Sequence, residues 1–130
     1  MTRTRIALVA ALSAALALPP LLAFAQVHTV TRVGAVAKPS SYRGPCPTTL
    51  EFIGTIHVSR YPVRVEYQWE RSDGAHGPRE TVEINSAGRG VTDHWTLGGG
   101  HERINVWERL HVLAPTGISS PPARAHLDCR

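Results

Sequence analysis

Apolar and polar residues alternate along most of this chain. From Pro62 to Gly74, PVRVEYQWERSDG, the residues Val63, Val65, Tyr67 and Trp69 occupy every second position, with Arg64, Glu66, Gln68 and Glu70 between them. A period of two is that of a strand with one buried face, and Ser-Asp-Gly-Ala closes the stretch with turn chemistry. Thr48 to Ser59 repeats the pattern, with Leu50, Phe52, Gly54, Ile56 and Val58 on one parity, Thr49, Glu51, Thr55 and His57 on the other, and Ile53 as the apolar exception. Gly54 predicts either a bulge or a close approach beneath a large ring.

Further strands are predicted over Glu80 to Asn85 (Val82 and Ile84 inward) and Val91 to Leu97 (Val91, Trp95 and Leu97 inward). Two more follow over Arg103 to Leu113 (Ile104, Val106, Leu110 and Val112 inward) and Ala123 to Cys129 (Ala125 and Leu127 inward). Gly, Pro and Ser clusters separate them, and no segment has a 3.6-residue apolar period. The stretch VHTVTRVGAV is either a seventh, edge strand or a mobile arm, and KPSSYRGP after it reads as a loop or linker. Short alternating strands at this spacing predict an all-β fold, a two-sheet antiparallel sandwich of the immunoglobulin or fibronectin type with six or seven strands. A small barrel is the alternative. Val63, Val65, Tyr67, Trp69 and Trp95 are the predicted core.

Residues 1–25 read as an address. Arg3 and Arg5 form a positive start, Ile6 to Leu18 is small and apolar apart from Ser13, and Ala23-Phe24-Ala25 matches the pattern cut by signal peptidase. The alternative, an uncleaved anchor, is opposed by Pro19 and Pro20, which interrupt the run short of the ~20 apolar residues that span a bilayer. The expected organisation is a signal peptide over 1–25, an N-terminal arm or linker over 26–45 and a sandwich domain over 46–130. A secreted or periplasmic location follows, with no membrane insertion after cleavage.

Charge and cysteine narrow this picture further. The precursor carries a net charge of +4, and loss of the leader removes two arginines and no acid. The remaining basic residues are scattered singly among Glu and Asp, so no nucleic-acid partner is indicated. Cys46 and Cys129 lie 83 residues apart. In an exported chain an even pair is most simply a disulfide, and closing so long a loop is worth up to roughly 4 kcal/mol in the chain-entropy description. A redox or metal-binding pair would need Cys-x-x-Cys spacing or a Cys-His cluster, and neither occurs.

Read together, Cys46-Pro47, FIGTIHV, YQWERSDGA from Tyr67, Asp93 to Leu97, WERLHVLAP from Trp107, and a final strand ending at Cys129 resemble immunoglobulin-like domains of secreted bacterial proteins. The resemblance spans Arg43 to Cys129. It implies an extracellular module of unassigned activity and carries no catalytic residue. In antibody-type domains the cysteines bracket the tryptophan strand, whereas here they stand at the two ends of the domain.

Candidate chemistry is sparse. Seven histidines, His28, His57, His76, His94, His101, His111 and His126, form no H-x-H or H-E-x-x-H motif and read as solvated surface groups. G-x-S-x-G is absent. Glu66 and Glu70 share a strand face about 13 Å apart, too far for paired-carboxylate glycoside chemistry, and Gly98-Gly99-Gly100 lacks the Lys and Ser/Thr of a phosphate loop. No catalytic, metal-binding or cofactor-binding residue and no cofactor is indicated.

Two carboxylates break the pattern, Glu108 on the parity of Leu110 and Asp93 on that of Trp95. Burial would require an Arg partner, and the expectation is a rim position or a bulge that turns each outward. A bulge at Trp107-Glu108 would leave Trp107 over the core edge or exposed, and an exposed Trp107 is the candidate anchor for a protein or glycan. The repeated Trp-Glu-Arg at 69–71 and 107–109 reads as coincidence. The functional expectation is a non-enzymatic binding module, with a small exported enzyme or inhibitor built from loops as the alternative.

Overall fold

A computed structural model describes residue 20 and residues 29–130, so the leader expected over 1–25, apart from residue 20, and His28 lie outside the described residues. Nine strands and no helix occur among the described residues. They are β1 (Val30–Lys38), β2 (Ser41–Gly44), β3 (Thr48–Val58), β4 (Val63–Arg71), β5 (Glu80–Ile84), β6 (Gly88–Leu97), β7 (Arg103–Ala114), β8 (Ile118–Ser119) and β9 (Ala123–Cys129). They form two sheets, one ordered β1-β3-β6 and the other β2-β9-β7-β4-β5 with β8 against β7. The fold is the expected immunoglobulin-like sandwich rather than a barrel.

Each sheet turns its apolar parity inward. Leu50, Phe52 and Ile56 from β3 meet Val65, Tyr67 and Trp69 from β4 and Leu110 and Val112 from β7, all buried. Of the five core residues read from the sequence, Val65, Tyr67 and Trp69 are buried, while Val63 and Trp95 are partly buried and packed against the same cluster. Gly54 marks a close approach of the two sheets. It pairs in register with Ala35 and Val91, so there is no bulge. A β-carbon there would lie 2.4 Å from Leu110 Cδ2 and 3.1 Å from Trp69 Cη2. The Trp69 ring therefore lies where a side chain at position 54 would project.

The sandwich begins at Val30, not at Cys46. The stretch 26–45, expected as an arm or linker, supplies two strands: β1 pairs antiparallel with β3, and β2 pairs parallel with β9. The alternation of β1 is broken because the register shifts between Val30 and Arg32, which lets Val30 and Val33, three positions apart, both point inward. The strand count exceeds the expected six or seven through β2 and β8, which are too short to show a period.

Cys46 and Cys129 are disulfide-bonded, with Cα atoms 5.4 Å apart. The bond ties the start of β3 to the end of β9, one strand from each sheet. Gly98, at φ +88, packs on it, and a β-carbon there would meet Cys129 Sγ at 2.8 Å. Glycine is required by both the backbone angle and the contact.

A second inter-sheet link corrects two expectations. Glu108 is not at a rim or on a bulge: β7 keeps a regular register with β9 and β4 there, and Glu108 is fully buried. The two Trp-Glu-Arg triplets lie antiparallel on neighbouring strands, with Arg71 opposite Glu108 and Glu70 opposite Arg109. They run in opposite phase, so Trp69 and Arg71 point inward while Trp107 and Arg109 point outward. Arg71 Nε donates to Glu108 Oε1 at 3.0 Å, and Nη2 donates to Asp93 Oδ2 at 3.0 Å and to the His94 carbonyl at 3.1 Å on the facing sheet. Its guanidinium also lies 5.1 Å from the Trp95 ring centroid. Asp93 itself is half-buried and in regular register with Phe52 of β3.

Burial, reinforced by the Asp93 carboxylate, raises the Glu108 pKa from 4.5 to about 7 against the opposing pull of Arg71. Burial also works against the charge on Arg71, but its bonds to Asp93 and Glu108 outweigh that and hold its pKa above the ordinary value. Glu108 Oε2 has no hydrogen-bond partner among the described residues, which costs less for a neutral acid than for a carboxylate.

Two outcomes test this packing. Gly54→Ala should destabilise the domain by about 1–3 kcal/mol through overpacking, read as a lower urea midpoint; an unchanged midpoint would contradict the close approach. Because the Glu108 pKa is raised on folding, its contribution is complete below pH 4.5 and is lost as pH rises through about 7, up to roughly 3 kcal/mol. Stability of the natural sequence should therefore fall between pH 5 and pH 8, and Glu108→Gln should flatten that fall. Equal slopes in the two proteins would show that Glu108 titrates normally.

Candidate functional site

The outer face of the larger sheet carries a groove over β7 and β9. Its floor is the backbone around Val106 and Ala125, whose side chains point into the core, and its volume is about 660 Å³. Trp107, Arg124, Asn105, His126, Ser72 and Ser40 line it. The unbroken alternation of β7 puts Trp107 there: Val106 and Glu108 face the core, so the residue between them faces out. The ring is half-buried, and the Arg109 guanidinium lies 5.3 Å from its centroid.

The register of β7 with β9 assembles the rest. Trp107 pairs with Arg124, Asn105 with His126 and Arg103 with Asp128. Asn105 Oδ1 and His126 Nδ1 are 2.8 Å apart, so an Nδ1–H on the imidazole donates to the amide oxygen. Ser72 forms the opposite wall. Its N–H donates to the Trp107 carbonyl at 2.9 Å, and its Oγ accepts from the Trp107 N–H at 3.2 Å. Ser72 follows Arg71 directly, so the buried Arg71–Glu108 pair anchors the wall from beneath. The turn beyond it is the predicted Ser-Asp-Gly-Ala, in which Asp73 Oδ1 accepts from the Ala75 N–H at 2.9 Å and Gly74 takes φ +87.

Charge is distributed unevenly over this face. At one end Asp128 accepts from Arg43 at 3.1 Å and lies 3.8 Å from Arg103 and 3.5 Å from Arg130. Burial pushes its pKa up, but the three guanidiniums outweigh that and hold it below the ordinary carboxylate value. At the other end the Glu70 carboxylate is engaged by His111 Nε2, whose hydrogen bond lowers its pKa. Glu66 pairs with Arg79 at 3.3 Å. The two glutamates read as a solvated outer face are thus both partnered, and His111 is half-buried between Glu70 and Ser119 rather than solvated.

No carboxylate is among the residues that line the groove, and the Ser72 hydroxyl is held by Trp107. The arrangement offers a flat ring, a guanidinium and an amide–imidazole pair, groups of the kind that hold a ligand in a groove. Trp107 was legible as a candidate from the sequence. Arg124 and His126 were legible only as outward positions, because the cross-strand register that sets them beside Trp107 and Asn105 leaves no mark within either strand. Among the described residues no group of three or more His, Cys, Asp or Glu side chains gathers as a metal site.

No protein-family model and no curated protein matches this chain. Among solved structures, the CARDB domain of a Pyrococcus furiosus protein, crystallised in complex with di-metal ions, superposes with a TM-score of 0.57 at 10% sequence identity, over 82% of this chain and 100% of that one. At that identity the likeness is one of fold, and it places this chain among the immunoglobulin-like β-sandwiches.

Proposed function

We propose that this chain is an extracytoplasmic, non-enzymatic immunoglobulin-like module that binds a protein or glycan through the groove beside Trp107. The observation that carries the reading is the outward phase of Trp107: a large ring on the solvent side of a sheet, lining a groove and steadied by Arg109. Aromatic rings in such positions supply much contact area at little entropic cost, because few torsions are frozen on binding. The module fold supports the non-enzymatic reading. The Cys46–Cys129 bond supports an oxidising compartment, periplasmic or secreted, to which a leader of the kind expected over 1–25 would deliver the domain.

A cell-envelope pulldown and a glycan array with the purified protein and with Trp107→Ala test the proposal. The variant should keep its melting temperature, since Trp107 lies outside the core, and should lose at least tenfold in captured ligand, in line with aromatic anchors at other interfaces. Undiminished capture by a folded Trp107→Ala protein would remove Trp107 as the anchor.

A further inference from the structure

We infer that the ligand of this face is an acidic polysaccharide, engaged by Trp107 and by a strip of arginines along β7, β9 and β2; this deepens the binding reading above and rests on it. Arg124 stands directly opposite Trp107 in the sheet and has no hydrogen bond or ion pair with any described residue. Arg109, 5.3 Å from the Trp107 ring centroid, faces Glu70 across the strands and shares that carboxylate with His111. Two positive charges thus stand beside the ring, one sharing Glu70 with His111 and the other, Arg124, without a carboxylate partner.

The strip continues to the Asp128 end of the sheet. There Arg43, Arg103 and Arg130 surround one carboxylate and leave a surplus of positive charge. Arg103 and Trp107 lie four residues apart on β7, about 13 Å along the strand. A small anion would reach one end of the strip; a chain with repeated negative charge would reach both. Carboxylates are matched by the planar fork of arginine, sugar rings have an apolar face that the indole can cover, and hydroxyls find Asn105 and His126 within the same groove.

A single-stranded nucleic acid would use the same two elements, charge and stacking. Such strands are held by successive aromatic platforms, one for each of several bases, whereas the groove's lining offers one indole, Trp107, and one small ring, His126, whose Nδ1 is engaged by Asn105. The geometry favours the saccharide.

The test is calorimetric titration of the purified protein with an oligogalacturonate, a neutral cello-oligosaccharide of the same length and an oligothymidylate. The oligogalacturonate should bind, with an affinity that falls as salt rises, and Trp107→Ala and Arg124→Ala should each weaken it at least tenfold while leaving the melting temperature unchanged. If the neutral oligosaccharide binds equally well, depends on Trp107 and ignores Arg124→Ala, the acidic class is wrong and the groove remains a binding site. Tighter binding of the oligothymidylate, or no binding of any oligosaccharide while Trp107-dependent envelope capture persists, likewise overturns the acidic saccharide alone. Oligogalacturonate binding that is indifferent to Trp107→Ala overturns both readings.

Discussion

The guanidinium of Arg71 is the point on which the two sheets and the groove depend together. It leaves the end of β4, reaches under β7 to Glu108 and across to Asp93 and the His94 carbonyl on β6. A charge in that position would be costly without partners. With them, it locks one end of the sandwich, as the disulfide does at the junction of β3 and β9. Ser72 is the next residue, and its two bonds to the Trp107 backbone carry the order of this buried cluster to the surface.

That cluster also explains why the same triplet, Trp-Glu-Arg, has two different uses. On β4 the phase of the strand buries Trp69 over Gly54 and aims Arg71 inward. On β7 the phase is reversed, so the acid goes inward to meet Arg71 and the indole goes out to the groove. A one-residue slip of β7 would exchange the faces, burying Trp107 and exposing Glu108. Pairing of Arg71 with Glu108 thus favours the observed register of β7 as well as joining it to β4.

Much of the fold was legible in the chain because strands with one wet face write their orientation in every second residue. Six strands, the sandwich as the leading fold and the inward set around Trp69 follow from local alternation, whereas Gly54 left a bulge and a close approach both open until the register and the Trp69 ring decided it. The strands that escaped are those in which that code is broken or too brief: β1, whose register shifts between Val30 and Arg32, and β2 and β8, of four and two residues. The site was legible only in part. Trp107 stood out as the ring beside an acid on the inward parity, although the expected bulge that would turn Glu108 outward is absent. Arg71 as the partner of Glu108, and Arg124 as the neighbour of Trp107, depend on which strands pair and in what register, and no single strand contains that information.

The chain has three tryptophans, one in the core, one at the rim beneath Arg71 and one on the groove. Their indole N–H resonances in a proton–nitrogen correlation spectrum report on the three environments separately. On titration with an oligogalacturonate, the Trp107 signal should shift progressively to saturation while those of Trp69 and Trp95 stay in place. A Trp107 signal that does not move, or movement confined to Trp69 and Trp95, would contradict binding on the outer face of the larger sheet.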